Sequence, residues 1–189
     1  VEYNIPEKAY ELNVAAAAIA RRVADTYEVD GRPRYVAGSI GPGTKLPSLG
    51  HIDFATLRDS YEEQARGLLD GGSDLFLIET CMDLLQIKAA MQACRRAMKS
   101  VGREVPIQVQ VTMETTGRML VGTEIGAAYA SLQAMKPDVI GINCATGPAE
   151  MQEHLRYLSE HSLIPISVLP NAGLPSVVDG RTHYDLTPE

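Results

Sequence analysis

Three places in the chain hold residues whose type and setting could do chemistry. Cys144 follows Ile142-Asn143 and precedes Ala145-Thr146-Gly147-Pro148, so a thiol stands where an apolar run ends and a helix is about to begin. A helix N-terminus favours negative charge, and a thiolate there could act as a nucleophile or bind a metal; a small buried residue is the structural alternative. Glu79 ends the apolar run Leu75-Phe76-Leu77-Ile78. A carboxylate in that position needs a partner, either a cap or ion pair within the fold or the ammonium group of a ligand. The third place is the loop Gly38-Ser39-Ile40-Gly41-Pro42-Gly43-Thr44-Lys45. It approaches the phosphate-loop pattern but reads Gly-Thr-Lys where Gly-Lys-Thr is required, and Leu46-Pro47-Ser48 separates it from the next helix. It is then either a plain turn or a rigid loop that offers backbone N–H groups to a carboxylate.

The elements that position these residues alternate. A helix is expected over about 6–26, with Leu12, Ala15, Ile19 and Val23 on its apolar face, and Asp30-Gly31-Arg32-Pro33 breaks it. A short apolar run, Tyr35–Gly38, precedes a loop over 39–51. Asp53 caps a helix running to about Asp70, which Gly71-Gly72 ends. Strand Leu75–Ile78 reads as buried on both faces. Then follow a helix over about 83–99, strand Ile107–Val111, a helix over about 123–135 and strand Val139–Asn143. A helix from Pro148 to about Ser159, strand Ile166–Leu169 and a loop-like tail from Asn171 complete the order. Strands separated by helices imply a parallel α/β sheet with right-handed crossovers. An open doubly wound sheet and a stretch of an eight-stranded barrel both fit five such strands, and in both the chemistry collects after the strand ends.

The remaining candidates are quieter. Thr112, Glu114 and Thr115 follow the third strand and read as a solvated loop; Pro170–Pro175 follows the fifth and could shape a pocket. Cys94 shares a helical face with Leu84, Ile87, Met91 and Met98, and His154 shares one with Met151 and Leu158, which makes both core or boundary residues. Cys81 stands beside the strand end, and His51, His161 and His183 have no metal-ligand spacing. A net charge of −7 without a basic stripe argues against nucleic acid or an anionic membrane as partner. No apolar run reaches the roughly 20 residues of a membrane span. Three cysteines do not suggest a disulfide framework, so a reducing, cytoplasmic setting is expected.

Four segments in register resemble the homocysteine S-methyltransferase family, in the form of the homocysteine-binding domain of cobalamin-dependent methionine synthases. They are Tyr35–Pro42, Gly71–Asp74 leading to Ile78-Glu79-Thr80, Ile142–Pro148, and Leu169–Pro175. The resemblance runs from end to end of the chain and implies a single domain over 1–189 that forms part of a (β/α)8 TIM-type barrel, about strands three to seven. It implies that Cys144 is one of three zinc-binding cysteines and that Glu79 holds the homocysteine amino group. Asn143 is implied to stand beside the metal, and Ser39 and Gly41 to belong to the loop that receives the substrate carboxylate. The family's adjacent cysteine pair and its opening Asp-Gly-Ala-Met-Gly-Thr-like segment have no match here, so the zinc site is expected to be incomplete and the chain alone inactive. No Asp-x-His-x-x-Gly is present, so methylcobalamin would be bound by another domain, with a folate-binding domain as further partner. The implied reaction gives methionine from homocysteine, whose thiol, at a reference pKa of about 8.5, needs a metal to be held as thiolate. A relative using betaine or S-methylmethionine, or a non-catalytic piece of the fold, is the alternative.

Overall fold

The computed structural model describes residues 5–173, 175–184 and 186–187. Its centre is a five-stranded parallel sheet: β1 (Ala37–Ile40), β2 (Leu75–Cys81), β3 (Ile107–Val111), β4 (Val139–Asn143) and β5 (Ile166–Leu169). The helices are α1 (Ala9–Thr26), α2 (Phe54–Asp70), α3 (Leu84–Val101), α4 (Ile125–Met135) and α5 (Pro148–His161). The spatial order of the strands is their chain order, β1-β2-β3-β4-β5. A doubly wound sheet reverses direction at a switch point; successive right-handed crossovers without reversal put every connecting helix on one face, as in a barrel wall. The open-sheet alternative is thereby excluded.

The two faces of the wall differ in chemistry because side chains alternate along each strand. Toward the helices point Ile40, Phe76, Ile78, Val109, Ile140 and Ile142, all at most 1% exposed and packed against α2 to α5. Toward the inside point Ser39, Glu79, Gln108, Gln110, Asn143 and Ser167. Gln108 and Gln110 both donate from Nε2 to Ser167 Oγ, at 3.0 and 2.9 Å, reaching across β4. Gly141 lies between them in register, and a Cβ there would stand 1.8 Å from the Ser167 carbonyl oxygen. On the same inner face Leu75 and Leu77 stay partly exposed, so β2 is sealed on its outer face only.

The helix ends follow from local chemistry. Asp53 accepts from the backbone N–H of Thr56 at 2.8 Å, which makes it the cap expected for α2. Asp83, fully buried, caps α3 through the Leu85 N–H and also receives both the N–H and the hydroxyl of Ser48, tying the β1–α2 loop to α3. Besides the burial of β2 on both faces, three expectations are corrected. β1 starts two residues later than the run at Tyr35 and takes in Ser39 and Ile40. On α1, Leu12, Ile19 and Val23 are about half exposed, and Ala17 is the buried residue. Periodicity marked an apolar stripe, but the α1–α2 contact is made through small residues: a Cβ on Gly67 or Gly71 would come within 2.7 Å of the Tyr10 or Val14 carbonyl oxygens. Only a face of small side chains permits that approach. The tail contains a hairpin, Ser176–Val178 (β6) with Arg181–His183 (β7), turning at Asp179-Gly180, both at positive φ. Asp-Gly between short strands is the signal of such a turn. Among the described residues no helix is long and apolar enough to cross a membrane.

Candidate functional site

The strand ends bring together the residues that the sequence singled out separately. Glu79 lies on the inner face of β2, and the Ser39 hydroxyl donates to its Oε1 at 2.6 Å from the neighbouring strand. Asn143, 1% exposed, reaches the same carboxylate from β4: its Nδ2 is 3.3 Å from Glu79 Oε2. That amide nitrogen is also 3.3 Å from Cys144 Sγ and 2.8 Å from Thr80 Oγ1. Asn143 Oδ1 accepts from the Thr80 backbone N–H at 2.9 Å. Ser39, Glu79, Asn143 and Cys144, which span more than half the chain, therefore form one hydrogen-bonded array.

The Cys144 loop is held in an unusual shape. Cys144 and Ala145 are both left-handed, at φ 58° and 57°. Such conformations are uncommon without glycine and persist only where surrounding bonds impose them. Here the Cys144 N–H donates to Leu169 O, Thr146 N–H to Cys144 O, and Asn171 N–H to Thr146 O, which stitches the loop to the end of β5. Gly147, whose absent Cβ would stand 3.0 Å from the Gly173 Cα, begins α5 with Glu150 accepting from its N–H. The result leaves the Cys144 side chain partly exposed beside Glu79, while Cys81 and Cys94 are fully buried. Burial, with Glu79 and Asp83 nearby, pushes the Cys81 thiol up to about 12, and burial pushes Cys94 up as well.

On the other side of Glu79 the β1–α2 loop turns sharply. Gly41 has φ 89°, and a Cβ there would meet Cys81 Sγ and Glu79 O at 3.3 Å, so the backbone runs close against the strand end. The Pro42 carbonyl accepts from the Tyr61 hydroxyl at 3.1 Å and from the Gln86 amide. Tyr61 and Gln86 receive no role from the sequence, because each holds a loop that lies far from it in the chain, 19 and 44 residues away. Thr112 is a correction: it is buried, not solvated, and its hydroxyl donates to the Asn143 carbonyl at 3.1 Å. Thr115 is exposed as expected. Thr80, which the sequence marks only as part of a segment, joins the array. His154 is partly buried with its imidazole pKa lowered by desolvation, as a boundary residue should be.

The family model for homocysteine S-methyltransferases matches residues 1–189. The chain belongs to the homocysteine S-methyltransferase family. It is 55% identical over 188 residues to the methionine synthases of Mycobacterium leprae and Mycobacterium tuberculosis. The match takes in all of this chain and 16% of each relative, so the chain spans about one sixth of the curated relatives' length. In structure it is similar to the homocysteine methyltransferase MmuM of Escherichia coli. The apo form superposes with a TM-score of 0.73 at 22% identity, covering 89% of this chain and 62% of that one. The metallated form gives the same score, identity and coverage of this chain. At that identity the likeness carries the fold: a parallel wall of the barrel type seen in that enzyme.

Metal ligation sets a limit on the site. Among the described residues no group of three or more His, Cys, Asp or Glu stands together as a metal site. Catalytic zinc takes three protein ligands and keeps one position open. The partly exposed thiol of Cys144, hydrogen-bonded from the side by Asn143, fits one of those three positions.

Proposed function

We propose that this chain is the substrate-binding wall of a homocysteine S-methyltransferase of the methionine synthase type. The carrying observation is the array Ser39–Glu79–Asn143–Cys144, which sets a carboxylate and a thiol on the two sides of one buried amide. Homocysteine offers the complementary groups: an ammonium for Glu79, a sulfur for a metal held in part by Cys144, and a carboxylate for the Ser39–Gly41 turn. Among the described residues the donors to Glu79, Ser39 and Asn143, are neutral, so its negative charge stays available to the ammonium. Asn143 fixes the carboxylate and the thiol relative to each other, which sets the span between the substrate's amine and its sulfur. Gly41, with its backbone against Glu79, closes the carboxylate side.

A sulfur bound to zinc is a thiolate at neutral pH, and that is what the metal supplies when bound. Cys144 gives one ligand, and the other two would come from elsewhere in the full-length protein. The methyl donor in this reading is methylcobalamin, carried with folate on other domains; the 55% identity to proteins named methionine synthase supports it over betaine or S-methylmethionine. Three free cysteines accord with a cytoplasmic setting. The test is a methionine-formation assay on the full-length protein with homocysteine and alternative donors, alongside zinc analysis. Methionine formed from methylcobalamin in a zinc-dependent manner is expected. Equal turnover with betaine, or none with any donor, overturns the proposal.

A further inference from the structure

Thr80 holds a position that no local rule explains. It is β-branched and left-handed, at φ 56°, one residue before the end of β2, where the register with β3 shifts between Ile78 and Cys81. For a β-branched residue that conformation is a genuine outlier. Its effect is to turn two groups of one residue toward Asn143. The Thr80 N–H donates to Asn143 Oδ1 at 2.9 Å, and Thr80 Oγ1 accepts from Asn143 Nδ2 at 2.8 Å. A flipped amide would oppose NH2 to the Thr80 N–H and Oδ1 to the Glu79 carboxylate, so the backbone bond and the carboxylate together decide which end of Asn143 faces Glu79 and Cys144.

The hydrogen count gives the hydroxyl a second task. Asn143 Nδ2 carries two hydrogens and faces three acceptors: Thr80 Oγ1, Glu79 Oε2 and Cys144 Sγ. One acceptor is always short of a donor. Thr80 Oγ1 stands 3.7 Å from Cys144 Sγ, and because it already accepts from Asn143, its own hydrogen is free to point at the sulfur. We propose that Thr80 is a positioning residue: its backbone and hydroxyl clamp the Asn143 amide, and its hydroxyl donates to the Cys144 sulfur, so that the carboxylate and the thiolate are aligned together. This rests on the function proposed above, and the same array then explains why the strained backbone is kept.

The test uses the full-length protein with Thr80→Val, Thr80→Gly and Thr80→Ser. Valine keeps the shape and loses the hydroxyl. Glycine loses the hydroxyl but is at ease at positive φ, so it folds even if valine does not. Serine keeps the hydroxyl. Two readouts are taken: the homocysteine dissociation constant by calorimetry, and the energy of the sulfur-to-metal charge-transfer band in the cobalt(II)-substituted protein. With T80V and T80G the dissociation constant should rise roughly two- to tenfold, the effect of one hydrogen bond at the site. The band should move to lower energy, since a thiolate without its donor gives up charge more easily. T80S should match the unchanged protein in both. Unchanged affinity and band in T80V or T80G, or a T80S that behaves like them, overturns the assignment. If the unchanged protein binds neither homocysteine nor cobalt(II), the proposed function itself falls, and this inference with it.

Discussion

Replacing Glu79 by glutamine separates charge from shape at the centre of the site. The carboxylate accepts from Ser39 at 2.6 Å and lies 3.3 Å from Asn143 Nδ2. In Glu79→Gln the amide oxygen can take the Asn143 hydrogen while the new NH2 faces Ser39, whose hydroxyl rotates to accept. Both internal hydrogen bonds therefore survive, and stability should change by less than about 0.5 kcal/mol, as for substitutions that break no buried contact. What is lost is the negative charge facing the homocysteine ammonium. A hydrogen bond to a charged group is worth about 1.5–3 kcal/mol. Glu79 is only partly buried, and solvent screening brings the value toward the lower end. The homocysteine dissociation constant should rise about tenfold, and a hundredfold is the upper bound. Zinc affinity should change far less, because Cys144 keeps its Asn143 contact. Calorimetric titration of the zinc-loaded full-length protein with homocysteine, paired with chelator competition for zinc, measures the two effects separately. Equal losses in both, or an unchanged homocysteine affinity with a large drop in stability, would refute the reasoning and make Glu79 a structural residue.

Cys144→Ser should abolish tight zinc binding and methyl transfer in the full-length protein while circular dichroism and melting temperature stay close to normal; full zinc occupancy with normal turnover would sink the ligand assignment. Gly141→Ala should cost on the order of 3 kcal/mol in urea denaturation, at or above the usual range for overpacking, because the new Cβ would stand 1.8 Å from a backbone oxygen that cannot rotate away. A loss under about 0.5 kcal/mol, the size of an ordinary surface change, would mean that β4 and β5 shift freely. Stability should fall as pH rises from about 9 toward about 12, since the fold keeps the Cys81 proton up to about 12 while the unfolded chain releases it near 9.0. The unfolded state then binds fewer protons, which is the sign for loss on the alkaline side, and buried Tyr61, pushed from 10.0 up to about 12, adds to it. Urea midpoints measured across that range should flatten in a Cys81→Ala, Cys94→Ala double variant, and an unchanged slope would count against burial as the cause.

The alternation of helices and strands was legible in the chain because each element carries its own period: Phe76, Ile78, Val109 and Ile140 sit where buried parallel strands require apolar residues, and Asp53 stands where a helix needs a cap. Glu79 and Cys144 could be picked out for the same reason, as polar residues that end apolar runs. Sequence alone could not choose between a sheet that reverses and one that winds on, since strand order is a property of neighbours in space; the order β1 to β5 decided it. It also misplaced the inner face of α1, because periodicity shows where apolar residues lie but not that glycines at 67 and 71 draw two backbones together. Asp179-Gly180 carried a turn signal that short flanking strands made easy to pass over. The largest gap was the site's wiring. That Asn143 would turn its amide to Glu79, Thr80 and Cys144 at once depends on a left-handed threonine and a left-handed cysteine two strands apart. Residue type and spacing name the groups that could react, while the angles at which they meet are imposed by tertiary hydrogen bonds that hold the backbone where local preference would not put it.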